Sequence, residues 1–444
     1  MDGQVRFENR GRVIMSETSS RTLEHLDKAG IEVIPIAFEA VYRGAAAFTA
    51  PRRPWCATRS SERRPLTARG PGRIDSLMAD RPTTIKDALR NTLKDLVALH
   101  GAPGFEQSLV QYFRQRVERL ADAVDVDRYG NVTATRRGRQ DRPQLMISAH
   151  LDEIGFIVKG IEPDGFLRFD RLGGTADAFL PSRRVSVNGH FGVIGAKPGH
   201  LQSAEELARP ATVADMYIDV GAPSAGEVAA LGIQVGDPVT FIGELAEFSD
   251  GHRVCGKGMD DRAGVAILIQ MLAELKDTQP FATVHAVGTV LEQVGLRGAA
   301  MVAHRLRPDY AIAIDGASAG DTPDSSPTRD ISVVMGRGPV VILAGSTGNF
   351  RGSIAHPAMK RYLLQAADAA GVPVQLATHL TRGSTEAASI HLSRDGIPTI
   401  SIGVPRRYSY SPNEVVDLDD LAGAVQVVTR FVGEMEHHDD LGFR

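Results

Sequence analysis

Two kinds of apolar and polar patterning alternate along this chain. Residues 85–99 carry Ala88, Leu89, Leu93, Leu96 and Val97 at helical spacing, and residues 109–120 repeat that spacing. After turn chemistry at 127–131, unbroken apolar runs at 145–148, 284–291 and 310–314 predict strands buried on both faces, as in a parallel sheet. Residues 259–275 predict a helix with Val265, Leu268, Leu272 and Leu275 on one face. Strand and helix signals then follow at 340–343, 358–370, 399–404 and 419–434. Between residue 159 and about residue 250 the texture is different. Gly165, Gly173, Gly174, Gly189, Gly192, Gly195 and Gly199 punctuate short β-like runs such as 184–187, which predicts a small β-barrel or sandwich. The expected class is α/β: a mostly parallel-sheet domain over residues 81–160 and 251–444, with a small β-barrel domain inserted at 161–250.

Residues 1–80 are of another kind. Residues 51–73 hold seven Arg, four Pro and the single acid Glu62, too little apolar area to offset the entropy of ordering, and read as a solvated linker. Before it, residues 19–47 predict one helix and one strand, the strand over 31–36. The 444 residues are 43% apolar and 23% charged with a net charge of −4, which fits a soluble globular protein and predicts no broad cationic face for nucleic acid or membrane. Two cysteines, Cys56 and Cys255, cannot form a disulfide framework, and no secretory pattern opens the chain, so a cytoplasmic location is expected.

The candidate chemistry lies at the far ends of the apolar runs: His150-Leu151-Asp152, Asp260-Asp261, Glu292-Gln293 and Asp315. In open parallel sheets ligands bind beyond the carboxyl ends of the strands, so residues distant in sequence converge there. Each segment alone has an ordinary explanation, as a strand-end turn or as acids at a helix N-terminus. Together they have the composition of a metal-hydrolase site.

The segments 148–155 (SAHLDEIG), 257–264 (KGMDDRAG), 290–298 (VLEQVGLRG), 313–315 (AID) and 407–412 (RYSYSP) resemble, in order, those of the M42 metallo-aminopeptidases. That family includes glutamyl and tetrahedral aminopeptidases and members labelled endoglucanase. The likeness runs from about Thr84 to the C-terminus, inserted barrel included. It implies a peptidase domain with two divalent metals, zinc or cobalt, assembled into dodecamers. His150, Asp260 and Asp315 match the ligands of the first metal, with Asp260 bridging to the second, and Glu292 matches the general base. The family's other second-metal ligands are the second Glu of a Glu-Glu pair and a His, where this chain has Gln293 and Tyr410. Gln293 offers only a neutral carbonyl, and Tyr410 binds a metal only as a phenolate. The expectation is an occupied first site and a weak or empty second, with Asp152 orienting the His150 imidazole. His379 and His391, flanking the loop 383–387 in which Glu386 replaces the family's Asp, are candidates to substitute for the missing ligand.

The function so implied is a metal-dependent aminopeptidase acting on short peptides, Glu292 taking the proton of the attacking water. The alternative is a catalytically reduced relative with one structural metal and a binding or assembly role. A glycosidase needs a carboxylate pair free of metal duties, and none is present.

Overall fold

The computed structural model describes residues 6–8, 12–15, 32–35, 84–346, 352–379 and 383–437. The chain divides into two compact units, residues 1–77 and 78–444. In the first, Arg6–Glu8 pairs antiparallel with Arg12–Met15, which pairs parallel with Glu32–Pro35. That last strand falls within the expected 31–36. The helix expected over 19–47 and the linker at 51–73 lie outside the described residues.

The second unit is built on a large mixed sheet. Four strands form its parallel core in the order Thr283–Thr289, Gln144–His150, Tyr310–Ser318, Thr399–Arg407. All four are buried along nearly their whole length, which is why they are written as apolar runs without alternation. Antiparallel strands finish both edges: Val132–Arg136 and Ala123–Val126 on one side, and Glu414–Asp417, Arg253–Gly256 and Ala246–Glu247 on the other. A branch, Val340–Ser346, pairs antiparallel with Thr399–Arg407 and carries Gln375–His379 in parallel.

Register decides what the carboxyl edge presents. Thr289 lies opposite His150, and Ala313 opposite Ser148, so two further residues bring Asp315 out beside His150. The helix Met259–Glu274 packs on the strands Gln144–His150 and Tyr310–Ser318 and is clasped by the helices Ile85–Ala98 and Leu418–Glu434. The sequence predicts one apolar face for it. Instead Val265, Ala266, Ile267, Leu268 and Ile269 are all buried, because sheet and helices surround it.

The strands Gly155–Ile161, Leu167–Leu172, Arg184–Val187, His190–Gly195, Tyr217–Asp219 and Pro238–Phe241 close into a barrel. Phe156 centres its core, meeting Phe169 and Phe241 edge-on at centroid distances of 5.3 and 5.4 Å. The barrel thus starts at Gly155, directly after the His150 segment. Among the described residues no helix is long and apolar enough to cross a membrane.

Candidate metal centre

His150 ends its strand fully buried. Its Nδ1 donates to the backbone carbonyl of Asp152 at 2.9 Å, which leaves Nε2 facing Asp260 Oδ1 at 3.2 Å and Glu292 Oε2 at 3.7 Å. Asp260 lies in the first turn of Met259–Glu274, where Asp260 and Asp261 depart from helical backbone angles. That departure turns the Asp260 carboxylate toward the sheet edge. Asp315, 6% exposed, takes the Gly316 amide on Oδ1 at 2.7 Å. Among the described residues, His150, Asp260 and Asp315 are the group whose ligand atoms lie within 4.8 Å of one another.

Asp152 meets the His150 imidazole with its carbonyl and, at 3.6 Å, with its carboxylate Oδ1, and it also has a second set of partners. The imidazole is oriented by its carbonyl, while its carboxylate accepts the amides of Glu292 at 3.0 Å and Gln293 at 2.9 Å. Buried Glu106 takes the preceding amide, Leu291, at 3.0 Å. Two carboxylates therefore grip three consecutive N–H groups of the loop that carries Glu292. Behind them, Glu153 pairs with Lys257 Nζ at 2.6 Å and Arg262 Nη2 at 2.7 Å, all three side chains being about 1% exposed.

The electrostatics call for a cation. Asp152, Asp260, Asp261, Glu292, Asp315, Glu386 and Glu414 are buried together, with His150 and Arg406 against them. Burial, then the charges of Asp152 and Asp260, push Glu292 up to about 8. Burial and the charges of Asp260 and Glu292 hold Asp315 well above the usual carboxylate range, and burial foremost does the same for Asp261. Asp260 goes the other way: burial is the largest single influence and would raise it, but Arg406 and His150 together outweigh burial and hold it below the usual carboxylate range. His150 is held protonated by Glu292, Asp152 and Asp260 despite its burial. Asp261 Oδ2 and Glu386 Oε2 are buried without hydrogen-bond partners. One imidazole and two carboxylates converging amid uncompensated acid are a donor set that fits a divalent ion such as zinc.

Of the two substituted positions, Tyr410 stands beside the centre, under the Arg406 guanidinium, while the Gln293 side chain lies against Gly173. The Gln293 side chain packs where a Cβ on Gly173 would come within 3.1 Å of its Oε1. Tyr410 packs against the barrel core, and its carbonyl accepts the Thr175 hydroxyl at 2.8 Å. The charge of Asp260, then burial, holds its phenol above its ordinary value. His391 turns its Nδ1 back to the Ala387 carbonyl at 2.7 Å. His379 ends its strand, and its side chain lies outside the described residues. Glu386 accepts from the Thr289 hydroxyl.

Sequence reasoning missed Arg406, which is 2% exposed and reaches Asp260 Oδ2 at 2.6 Å and Glu414 Oε1 at 2.9 Å. No local pattern marks it, since its burial follows from the partners it meets in the fold. Beside the centre, a cavity of about 190 Å³ is bounded by Asp315, Ser318, Ile342, Thr385, Arg406 and Tyr410. A larger hollow of about 580 Å³, lined by Arg139, Phe281 and Arg430 among others, contains none of these acids and is remote from the chemistry.

A parallel-core α/β domain with a barrel inserted between two ligand segments, and a buried His-Asp-Asp cluster at the carboxyl edge, define a hydrolase of the metallopeptidase class. The M42 glutamyl aminopeptidase profile matches residues 130–427. The glutamyl aminopeptidase of Lactococcus lactis is 29% identical over 343 residues, covering 76% of this chain and 93% of the relative. Among solved structures, the aminopeptidase APDkam598 from Desulfurococcus kamchatkensis superposes with a TM-score of 0.75 at 34% identity, over 81% of this chain and 99% of that one. The Pyrococcus horikoshii TET1 peptidase gives 0.69 at 31% identity, over 78% and 99%. This chain belongs to the M42 aminopeptidase family and is a peptide-bond hydrolase.

Proposed function

We propose that the chain is a metal-dependent aminopeptidase that removes N-terminal residues from short peptides. The observation that carries this reading is the buried triad His150, Asp260 and Asp315 with Glu292 Oε2 only 3.7 Å from His150 Nε2. A divalent ion held there supplies Lewis acidity, polarising the peptide carbonyl and acidifying water. Glu292 takes the proton of the attacking water on its carboxylate and returns it to the leaving amine. Asp152 and Glu106 keep Glu292 in place by fixing its loop. Zinc or cobalt suits the nitrogen and oxygen donors.

The second metal position is the weaker one. Gln293 brings no charge, and the Tyr410 phenol is held protonated beside Asp260. The relative from Pyrococcus horikoshii assembles into a tetrahedron or a large octahedral shell, and a homo-oligomer, with a dodecamer as the first size to test, is the corresponding reading here. Two cysteines without a framework support a cytoplasmic location.

The test is hydrolysis of a panel of aminoacyl anilides by protein reloaded with zinc, cobalt or manganese, beside Glu292→Gln. Turnover by the parent and its loss in the variant are expected. No turnover with any metal on any member of the panel sinks the reading.

A further inference from the structure

Asp260 matches the residue that bridges two ions in the family pattern, and its two oxygens here face two different partners. Oδ1 faces the His150 side of the centre at 3.2 Å. Oδ2 faces Arg406 Nη1 at 2.6 Å. The arginine is held through its Nη1 and its planar face, while its Nε is buried without a hydrogen-bond partner. The same Nη1 reaches Glu414 Oε1 at 2.9 Å, and the guanidinium carbon stands 5.0 Å from the centre of the Tyr410 ring. Glu414 in turn accepts the amides of Asp260, at 3.1 Å, and Tyr410, at 2.7 Å. A Cβ on Gly316 would lie 2.9 Å from Arg406 Cζ, so the glycine is what leaves room for the guanidinium.

We propose that Arg406 is the second cation of this centre: its guanidinium takes the place beside Asp260 that a second metal ion would occupy, so that the chain binds one ion. This rests on the reading that His150, Asp260 and Asp315 hold the first. A guanidinium stays protonated at any pH the protein meets, and is weakly enough hydrated to be buried against carboxylates. A second ion on Asp260 Oδ2 would have to displace it or sit against it, with like charges a few ångströms apart in a desolvated site. The formal charges also balance. Relative to the family pattern, the site lacks two positive charges of an ion, gains one at Arg406 and lacks one negative charge at Gln293. Tyr410, where the pattern has a His ligand, serves instead as the aromatic face beneath the guanidinium. The three positions therefore act as one replacement.

Metal content of manganese-loaded full-length protein, measured after dialysis, and its electron paramagnetic resonance spectrum decide the matter without an activity assay. The parent is expected to hold one Mn²⁺ per chain with the hyperfine pattern of an isolated ion. Gln293→Glu with Tyr410→His restores the ligand types but keeps Arg406, and is expected to stay at one ion. Adding Arg406→Thr to that pair is expected to raise the content to two, with the signal of an exchange-coupled pair. Two ions in the parent, or in the double variant with Arg406 in place, overturn the proposal while leaving the first site standing. A folded triple variant that still holds one ion also overturns it. No ion in the parent removes the first-site reading itself. Should the triple variant fail to fold, the parent and the double variant still decide, since both retain Arg406.

Discussion

The carboxylate of Asp152 receives the backbone N–H of Glu292 at 3.0 Å, so the residue two positions after His150 fixes the loop that carries Glu292. Its second oxygen takes the Gln293 amide at 2.9 Å. Asp152→Asn keeps the shape but turns an NH₂ toward one of those two donors. Because partners one layer behind a metal site commonly contribute 10–100-fold, kcat is expected to fall by about that factor. Metal content should stay at the parent's level. Loss of the metal together with activity would mean that Asp152 serves the ion and not the loop.

Glu292→Gln removes the proposed proton acceptor with little change in side-chain size. A drop in kcat of about 10²–10⁴-fold is expected from the usual worth of general acid–base catalysis, with bound metal unchanged. A variant that keeps a tenth or more of the parent's kcat would place the base elsewhere.

Glu153→Gln tests the ion-paired anchor behind the site. It leaves Lys257 and Arg262 buried without their counter-charge, a loss of about 3–5 kcal/mol by analogy with broken buried pairs. Urea denaturation of the variant reads this directly. A midpoint equal to the parent's contradicts the anchor.

The metal-free protein should lose stability as pH rises. Burial foremost lifts Glu292 from 4.5 to about 8, and Glu414 and Glu106 from 4.5 to about 7. The folded chain thus retains protons that the unfolded chain has already released. The stabilisation is full below about 4.5 and is lost as pH climbs through 7 to 8. His285, lowered by burial to about 4, titrates below this range, and Lys257, lowered by burial to about 8, acts in the opposite sense at its upper end as one group against three. Denaturation midpoints of chelator-treated protein are expected to be lower at about pH 8.5 than at about pH 6.5. Reloading with zinc should narrow the gap, since a cation on the triad favours ionised Glu292. A metal-free midpoint that rises across this window reverses the sign of the argument.

What could be read from the sequence was what local pattern encodes. The strands ending at His150, Thr289 and Ser318 are buried on both faces and so appear as apolar runs, and parallel register then gathers their ends. The barrel was visible through its glycines, but not its start at Gly155, because that strand follows the His150 segment without a turn signal. Arg406 was out of reach for another reason. Its two carboxylates are Asp260 and Glu414, and nothing local distinguishes an arginine aimed into a core from one in solvent. The same holds for Glu106 and for Glu153 with Lys257 and Arg262, whose meaning lies in partners far along the chain.

The barrel departs the larger domain just after Glu153, and the chain is back in the large sheet by Ala246, so the buried Glu153–Lys257 clasp ties the start of the insertion to the segment that follows the returning strands. The inserted module has its own core around Phe156, separate from that of the sheet. Yet it also touches the two positions that set this chain apart from the family pattern, Gln293 through Gly173 and Tyr410 through Thr175. A change in the inserted module at Gly173 or Thr175 is therefore felt directly at Gln293 or Tyr410.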